Sequence, residues 1–361
     1  MLKVSWISLI AISIFWTTWT IGLPVGTIGG GSKVMRTMRN LLISLNGTKT
    51  NCPKKLMRLC RREKNFTDVL QEALILTVEN CHEQFKYTRW NCTLNKRLFN
   101  DVTRETSIVT SIFAASLTHA FARSCGENKL SKCDSGRTKT NEISRASYLY
   151  KNHSSAWTDK KLKLRGPSDN VKFGRQMARK ILIGGNQRSS KKRGMMNNFK
   201  DIVSWHNIEI GLMTVGKSKD DCQCQGFSSS CTIKICRRLL NDFKESAKNI
   251  RDRYPKALLI RDESDEAKYL KFRISKKHRR RLPLNYHGEK INQLQLYYIK
   301  PSPNFCKDTH DRKCFNEINC STLCCGRGFK TNEIQTPSKC NCGKKNKCKT
   351  CSTLMKIHTC K

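Results

Sequence analysis

The sequence predicts an α+β, disulfide-rich fold: a helical N-terminal domain carrying a disulfide-closed hairpin, followed by a small cysteine-rich β domain. Three observations carry this expectation. Apolar residues recur at helical spacing through much of the first two-thirds of the chain. Cys222-Gln-Cys224 and Cys231…Cys236 bracket a short turn rich in glycine and serine. Ten cysteines crowd into the 55 residues from Cys306 to Cys360. Little apolar material separates those ten, so that segment cannot build a hydrophobic core and must be stapled. The expected division is a leader over 1–26, the helical domain over 27–270 with its hairpin at 222–236, a basic linker over 271–292 and the cysteine-rich domain over 293–361.

The chain opens Met1-Leu2-Lys3, runs apolar from Val4 to Ile21, then meets Gly22, Pro24 and Gly26. One early positive charge, an apolar stretch and small residues after it read as a secretory signal peptide. The alternative, a membrane anchor, needs about 20 apolar residues, and Thr17, Thr18 and Thr20 weaken the run. Five Asn-x-Ser/Thr sequons, at Asn46, Asn65, Asn91, Asn152 and Asn319, fit an exported chain and are the candidate N-glycosylation sites. In an oxidising lumen the cysteines become disulfides by default.

From Asn65 to Phe85 the apolar positions Leu70, Leu74, Val78, Cys81 and Phe85 follow one helical face. A second helix is expected over Val102 to Arg123 and a third from Ser168, read as its N-cap, to Gly184-Gly185. A fourth covers Asn198 to Met213, and a fifth follows Cys231 through Leu239, Leu240, Phe243 and Ile250 to near Pro255. Charged stretches at 134–163 and 186–197 read as surface loops. Past Lys271 a basic run ending in Lys276-Lys277-His278-Arg279-Arg280-Arg281 leads into a strand-like Leu294 to Ile299.

Charge narrows the partners. The chain has 361 residues, 69 Lys+Arg against 28 Asp+Glu, and a formal net charge of +41. Such a charge calls for an anionic partner: nucleic acid, an acidic membrane or a sulfated polysaccharide. The export signal and sequons exclude nucleic acid. The clusters Lys191 to Arg193, Lys276 to Arg281 and Lys344 to Lys349 are either solvated surface or heparan sulfate sites. Lys276, Lys277, Arg279, Arg280 and Arg281 are the candidate glycosaminoglycan contacts.

The most specific stretch is Cys222-Gln-Cys224-Gln-Gly226-Phe227-Ser228-Ser229-Ser230-Cys231-Thr-Ile-Lys-Ile-Cys236. Nested pairing of Cys222 with Cys236 and of Cys224 with Cys231 would close a hairpin that needs no core, with Gly226 letting the backbone turn and Ser228 at its tip. A zinc site is the rival, but four thiolates in a secreted chain oxidise. Gly226-Phe-Ser228-Ser-Ser230 also approaches a nucleophile elbow, yet the second glycine is missing and no strand-turn-helix setting accompanies it. No His-Glu-x-x-His, phosphate loop or dinucleotide fingerprint appears, so neither a catalytic nor a metal site is expected.

The hairpin resembles the C-K-C-H-G-x-S-G-S-C…C-W motif of the Wnt family of secreted, lipid-modified signalling proteins. Further matches run along nearly the whole mature chain: Glu79-Asn-Cys81-His-Glu-Gln-Phe85 with Arg89-Trp90-Asn91-Cys92; Arg104-Glu105-Thr106; Ser168-Asp169-Asn170 with Phe173-Gly174; His206-Asn207-Ile-Glu209-Ile-Gly211; Tyr298-Ile-Lys-Pro301-Ser302-Pro303-Asn-Phe305-Cys306; and Leu323-Cys324-Cys325-Gly326-Arg327-Gly328. The resemblance implies a saposin-like helical domain whose hairpin protrudes as a "thumb", and a C-terminal domain ending in a second hairpin. It implies a ligand that brings the cysteine-rich domain of Frizzled together with an LRP co-receptor, and not an enzyme. No cofactor is implied beyond a covalent monounsaturated C16 acyl group on Ser228, placed by a membrane-bound acyltransferase before a secretory carrier exports the chain. Gly226, Phe227, Ser228 and Ser229 would form the receptor-binding tip. Such a chain adds about 0.8 kcal/mol per buried CH₂, more than any one side chain on a small hairpin. Heparan sulfate proteoglycans would hold the ligand in the extracellular matrix. The alternative is a secreted, basic, saposin-like lipid- or glycosaminoglycan-binding protein without Frizzled activity.

The resemblance also implies the pairs Cys81–Cys92, Cys125–Cys133, Cys222–Cys236, Cys224–Cys231, Cys306–Cys325, Cys314–Cys320, Cys324–Cys360, Cys340–Cys351 and Cys342–Cys348. Cys52 and Cys60 remain as a tenth. Departures from the family are specific. Ser135 and Pro167 stand where the family keeps two cysteines bonded to each other. Gly343-Lys-Lys-Asn-Lys347 replaces an aromatic fingertip with adjacent cysteines. Within the thumb, Gln225, Ser229 and Arg237 replace His, Gly and Trp.

Overall fold

The computed structural model describes residues 32–43, 52–53, 56–135, 162–184, 198–225, 233–274, 294–340 and 349–361. The leader, Asn46, Asn152 and the basic cluster Lys276, Lys277, Arg279, Arg280 and Arg281 lie outside the described residues. So do the tip Gly226, Phe227, Ser228 and Ser229, and Cys231, Cys342 and Cys348.

The architecture is mixed and helix-rich. The helices of the first half are α1 (Lys33–Ile43), α2 (Met57–Arg62), α3 (Phe66–Phe85), α4 (Arg104–Gly126), α5 (Val171–Arg179) and α6 (Phe199–Thr214). Then come α7 (Phe243–Arg251) and α8 (Asp265–Ile274). The core is organised around α4, which is buried on every side from Glu105 to Ala122. It has no solvent-facing side over that span, and α3, α5, α6 and α7 all pack on it. A helix enclosed this way must satisfy its own polar side chains. Thr110 and Thr118 hydroxyls donate back to the carbonyls of Thr106 and Ala114, and Ser116 pairs with Thr77 of α3.

Two glycines let the backbones close in. A Cβ on Gly174 of α5 would lie 2.2 Å from the Thr118 carbonyl oxygen, and one on Gly211 of α6 would lie 2.1 Å from that of Ser111. Both belong to the family-like motifs, and packing explains them.

Several of the expected elements need correction. The stretch Ile233–Leu240, expected to begin a helix, is strand β3, paired antiparallel with β2 (Ser218–Gln225). Its β-branched residues and the tie at Cys236 favour a ribbon, and helix begins only at Phe243, capped by Asp242. The N-cap of α5 is Asn170, whose side chain accepts from the Phe173 amide, rather than Ser168. Ser168 is already engaged, because its hydroxyl accepts from the Arg238 amide of β3. The last residues of the loop expected over 134–163 open strand β1 (Leu162–Arg165), which pairs parallel with β3.

Strand β4 (Leu258–Leu259) pairs with β5 (Tyr297–Tyr298). The expected strand from Leu294 to Ile299 is therefore two residues long, and Leu296 and Tyr297 join the helical core. Beyond it, β6 (Lys313–Cys314), α9 (Glu317–Leu323) and the long hairpin of β7 (Phe329–Cys340) and β8 (Lys349–Cys360) surround a second, far smaller core. That core holds Cys314, Cys320, Leu323, Cys324 and Cys360, so disulfide sulfur replaces most of the aliphatic packing.

Seven disulfides join described residues: Cys52–Cys60, Cys81–Cys92, Cys125–Cys133, Cys222–Cys236, Cys306–Cys325, Cys314–Cys320 and Cys324–Cys360. Cys224 and Cys351 are disulfide-bonded too. Cys340 ends β7, directly across from Lys349.

Candidate functional site: a disulfide-closed hairpin on a three-stranded base

The hairpin leaves the helical core through β2 and returns through β3. Its register sets Cys222 opposite Cys236, where the disulfide closes the ribbon, and Cys224 opposite Lys234. Next to the disulfide, Asp221 faces Arg237 and Asp220 faces Arg238, with N···O distances of 3.3 and 3.5 Å. These are exposed cross-strand pairs, worth a few tenths of a kcal/mol each. They favour the register more than they stabilise the fold. Arg237, where the family keeps a tryptophan, thus stands in an ion pair and lies over Gly166.

A third run of chain supports the base. After β1, the Gly166 amide donates to the Cys236 carbonyl at 3.0 Å, and the Asp169 amide donates to that of Arg238 at 2.9 Å. The Asp169 carboxylate accepts from the Leu240 amide at 2.7 Å. Burial pushes the Asp169 carboxyl above its ordinary value, and the bond from Leu240 opposes that rise. Asn170 then donates its amide to the Ala122 carbonyl and starts α5. On the other side, the His119 ring of α4 bonds the Asn241 carbonyl at 3.2 Å and packs, tilted, against the Phe243 ring. Burial holds His119 below its ordinary pKa, so the neutral ring seats the end of β3 on the core. The hairpin is therefore anchored along its whole inner half, which limits the entropy a tip would lose on binding.

The missing family bridge has a substitute at this base. The Ser168 amide donates to the Ser135 carbonyl at 2.9 Å, and the Asn170 side chain donates to the Asp134 carbonyl at 2.6 Å. The segments that the family ties covalently are here held by hydrogen bonds.

Other family-like motifs turn out to be staples. Asn207 of α6 exchanges two hydrogen bonds with the backbone of Tyr297, as a neighbouring strand would. His206 bonds the Gln295 carbonyl, and Glu209 takes a bidentate pair from Arg179. Arg104 sits between the rings of Tyr254 and Tyr298, while Glu105 accepts from the Tyr254 hydroxyl. Arg327 donates to the carbonyls of Lys361 and Cys306 and to Thr309, and so ties the chain end; Gly326 and Gly328 flank it at φ near +79°. Among the described sequons, Asn65 donates to the Lys129 carbonyl and Asn319 to that of Tyr87, while Asn91 accepts from Thr93.

The class these features define is a cysteine-stapled protein with a helical core and two disulfide-tied ribbons. The wnt family model matches residues 49–361, and the chain belongs to the Wnt family of signalling ligands. It is 32% identical over 292 residues to Protein Wnt-4 of Drosophila melanogaster, covering 78% of this chain but only 49% of that protein, about half its length. It is 29% identical over 323 residues to Protein Wnt-9a of Gallus gallus, covering 85% of this chain and 84% of that one. Among solved structures, the chain is similar to one described as human WLS in complex with WNT8A. The TM-score is 0.51 and the identity 24%, over 89% of this chain and 98% of that one, which is a likeness of fold. No helix among the described residues is long and apolar enough to cross a membrane.

Proposed function

We propose that this Wnt-family chain is a secreted ligand whose hairpin carries a monounsaturated C16 acyl group on Ser228 and delivers it to the cysteine-rich domain of a Frizzled receptor, with an LRP co-receptor as second partner. The observation that supports this most directly is the stalk. A ribbon closed at Cys222–Cys236 and laddered on its outer side by β1 leads straight to Gly226-Phe227-Ser228-Ser229. A rigid stalk costs little on association, and an acyl chain supplies apolar area that the short sequence lacks. The reading is of a ligand and not an enzyme, exported by a carrier of the WLS kind after a membrane-bound acyltransferase acts on it. Lys276, Lys277, Arg279, Arg280 and Arg281 then hold it on heparan sulfate in the matrix.

Mass spectrometry of the 222–236 peptide from secreted protein tests the central claim. An adduct of C16 size on Ser228, with loss of both adduct and signalling in Ser228→Ala, is expected. Full signalling by that variant, or an unmodified peptide from signalling protein, would overturn the assignment, and an unmodified peptide from secreted protein that does not signal would leave the lipid- or glycosaminoglycan-binding reading. Retention on heparin, weakened by neutralising Lys276 to Arg281, checks the second site.

A further inference from the structure

A small loop between β6 and α9, beside the base of the second hairpin, presents large apolar groups to solvent. Cys314–Cys320 closes six residues of chain, and within it Phe315 is 70% and Ile318 80% exposed. Tyr87, 37% exposed, comes up beside them from the turn after α3, its ring centroid 5.7 Å from that of Phe315. The Lys86 ammonium lies 5.0 Å from the centre of the Tyr87 ring.

The loop is held stiff from below. The Asn319 side chain accepts from the Phe315 amide at 3.1 Å and donates to the Tyr87 carbonyl at 2.9 Å. Asn316 caps the short helix by accepting from the Asn319 amide. Arg312 donates to the carbonyls of Lys86 and Arg89, both at 2.8 Å. Two apolar side chains thus stand at the crest of a disulfide-closed loop, and none of the described residues covers them. Contiguous exposure of this kind marks a surface that meets something apolar.

The surroundings say what. Lys86, Arg89 and Lys313 are exposed around the crest, and Glu317 is the one carboxylate within the loop. An aromatic and an aliphatic crest, a tyrosine beside it and long basic side chains about its foot make the profile of a group that enters a lipid interface. The apolar tips pass the headgroups, the phenol stays level with them, and the cations reach anionic phosphates. A second copy of the chain is a poor occupant, because two bodies of net charge +41 repel. A sulfated polysaccharide would satisfy the cations but leave Phe315 and Ile318 in water.

We infer that the Cys314–Cys320 loop is a membrane-docking site, inserting Phe315 and Ile318 into the surface of an anionic bilayer. A single acyl chain holds a protein to a membrane only marginally, and a second, basic-plus-apolar contact converts that into stable residence. The loop could supply that contact whether or not Ser228 is acylated.

Co-sedimentation of the full secreted protein with vesicles tests this, using phosphatidylcholine alone and phosphatidylcholine with about one-third phosphatidylserine, at physiological and high salt. Neutral vesicles report what an acyl group contributes, and the increment with phosphatidylserine reports the loop and the basic surface. Phe315→Ser with Ile318→Ser should lower partitioning into anionic vesicles about tenfold and abolish the salt-resistant part. Glu317→Gln should raise it about fivefold. Leu258→Ser with Leu259→Ser, about half exposed and elsewhere on the surface, should change nothing. Both serine pairs replace exposed side chains, and disulfide mapping of the secreted variants confirms that they fold. Unchanged anionic binding in the Phe315/Ile318 variant would overturn the proposal, leaving diffuse charge as the cause. So would anionic binding that needs Ser228 but not Phe315. Normal vesicle binding with lost receptor signalling in that variant would assign the loop to a protein partner instead. A glycan on Asn319 whose enzymatic removal is required before vesicles bind would show the crest covered in the native protein, and would also overturn it.

Discussion

Gly211→Ala sets two opposing effects against each other at one atom. In the interior of α6, alanine should be favoured over glycine by about 1 kcal/mol, since it loses less backbone entropy on becoming helical. The new methyl, however, would sit 2.1 Å from the Ser111 carbonyl oxygen and 3.0 Å from the Ala114 methyl. The first is backbone inside α4, which cannot swing aside as a side-chain tip can. Relief requires the two helices to part by roughly 1 Å, an overpacking cost of about 1–3 kcal/mol or more. Parting them also stretches the 2.7 Å bond from the Ser111 hydroxyl to the Asn207 carbonyl, worth about 1 kcal/mol. The contact wins over propensity, and the expected net loss is about 2–3 kcal/mol. Denaturant unfolding of the secreted protein followed by near-ultraviolet circular dichroism should show it, with a Tm lower by roughly 5–10 °C. Gly216→Ala, whose nearest atom is an Arg175 guanidinium nitrogen at 3.4 Å, is the matched comparison and should shift stability by less than about 1 kcal/mol. A Gly211→Ala protein as stable as the parent would refute the packing argument, for it would mean that α4 and α6 do not approach this closely.

Three further outcomes follow from the geometry. Ser135→Cys with Pro167→Cys should form the bridge that the hydrogen bond between Ser135 and Ser168 now replaces, raising stability by about 2–4 kcal/mol; peptide mapping that finds both thiols free would show the chains not close enough. Burial raises the Asp101 carboxyl, but bonds from Lys200 and Lys300 outweigh it and hold the group below its ordinary 3.8. Its stabilising contribution is therefore present above that value and lost as pH falls through the lower, folded-state pKa, so Asp101→Asn should flatten the acid limb of an unfolding-versus-pH curve. Arg327→Lys keeps the charge but not the fork that reaches Lys361, Cys306 and Thr309, and limited proteolysis should cut its C-terminal segment sooner than in the parent.

Much of the fold was legible because periodicity and caps act locally. The helix over Phe66–Phe85 and the one starting after Asn198 lie within a residue of where the sequence puts them, the first from apolar spacing. The stretch after Cys231 was misread because Leu239, Leu240, Phe243 and Ile250 also satisfy helical spacing. What decides between strand and helix there is pairing with Ser218–Gln225 and Leu162–Arg165, contacts that no local window contains. The helices Lys33–Ile43 and Asp265–Ile274 escaped notice, the second because its basic continuation masked its period. At the site, the hairpin was readable from cysteine spacing, whereas its support by Asp169, His119 and Asn241 was not, since those residues meet only through the fold.

By itself, then, the sequence determined the class of this protein. Twenty cysteines, a charge of +41, four closely spaced cysteines bracketing Ser228 and an ordered series of motifs all lie in residue identity and spacing. Tertiary structure alone decided what many of those motif residues do. Gly174 and Gly211 admit a neighbouring backbone, Asn207 stands in for a strand, and Ser168 bonds Ser135 where the family has a bridge. It also decided that Phe315 and Ile318, unremarkable in the sequence, stand uncovered. Burial and close approach are sums over residues distant in the chain, so they exist only once the chain has folded.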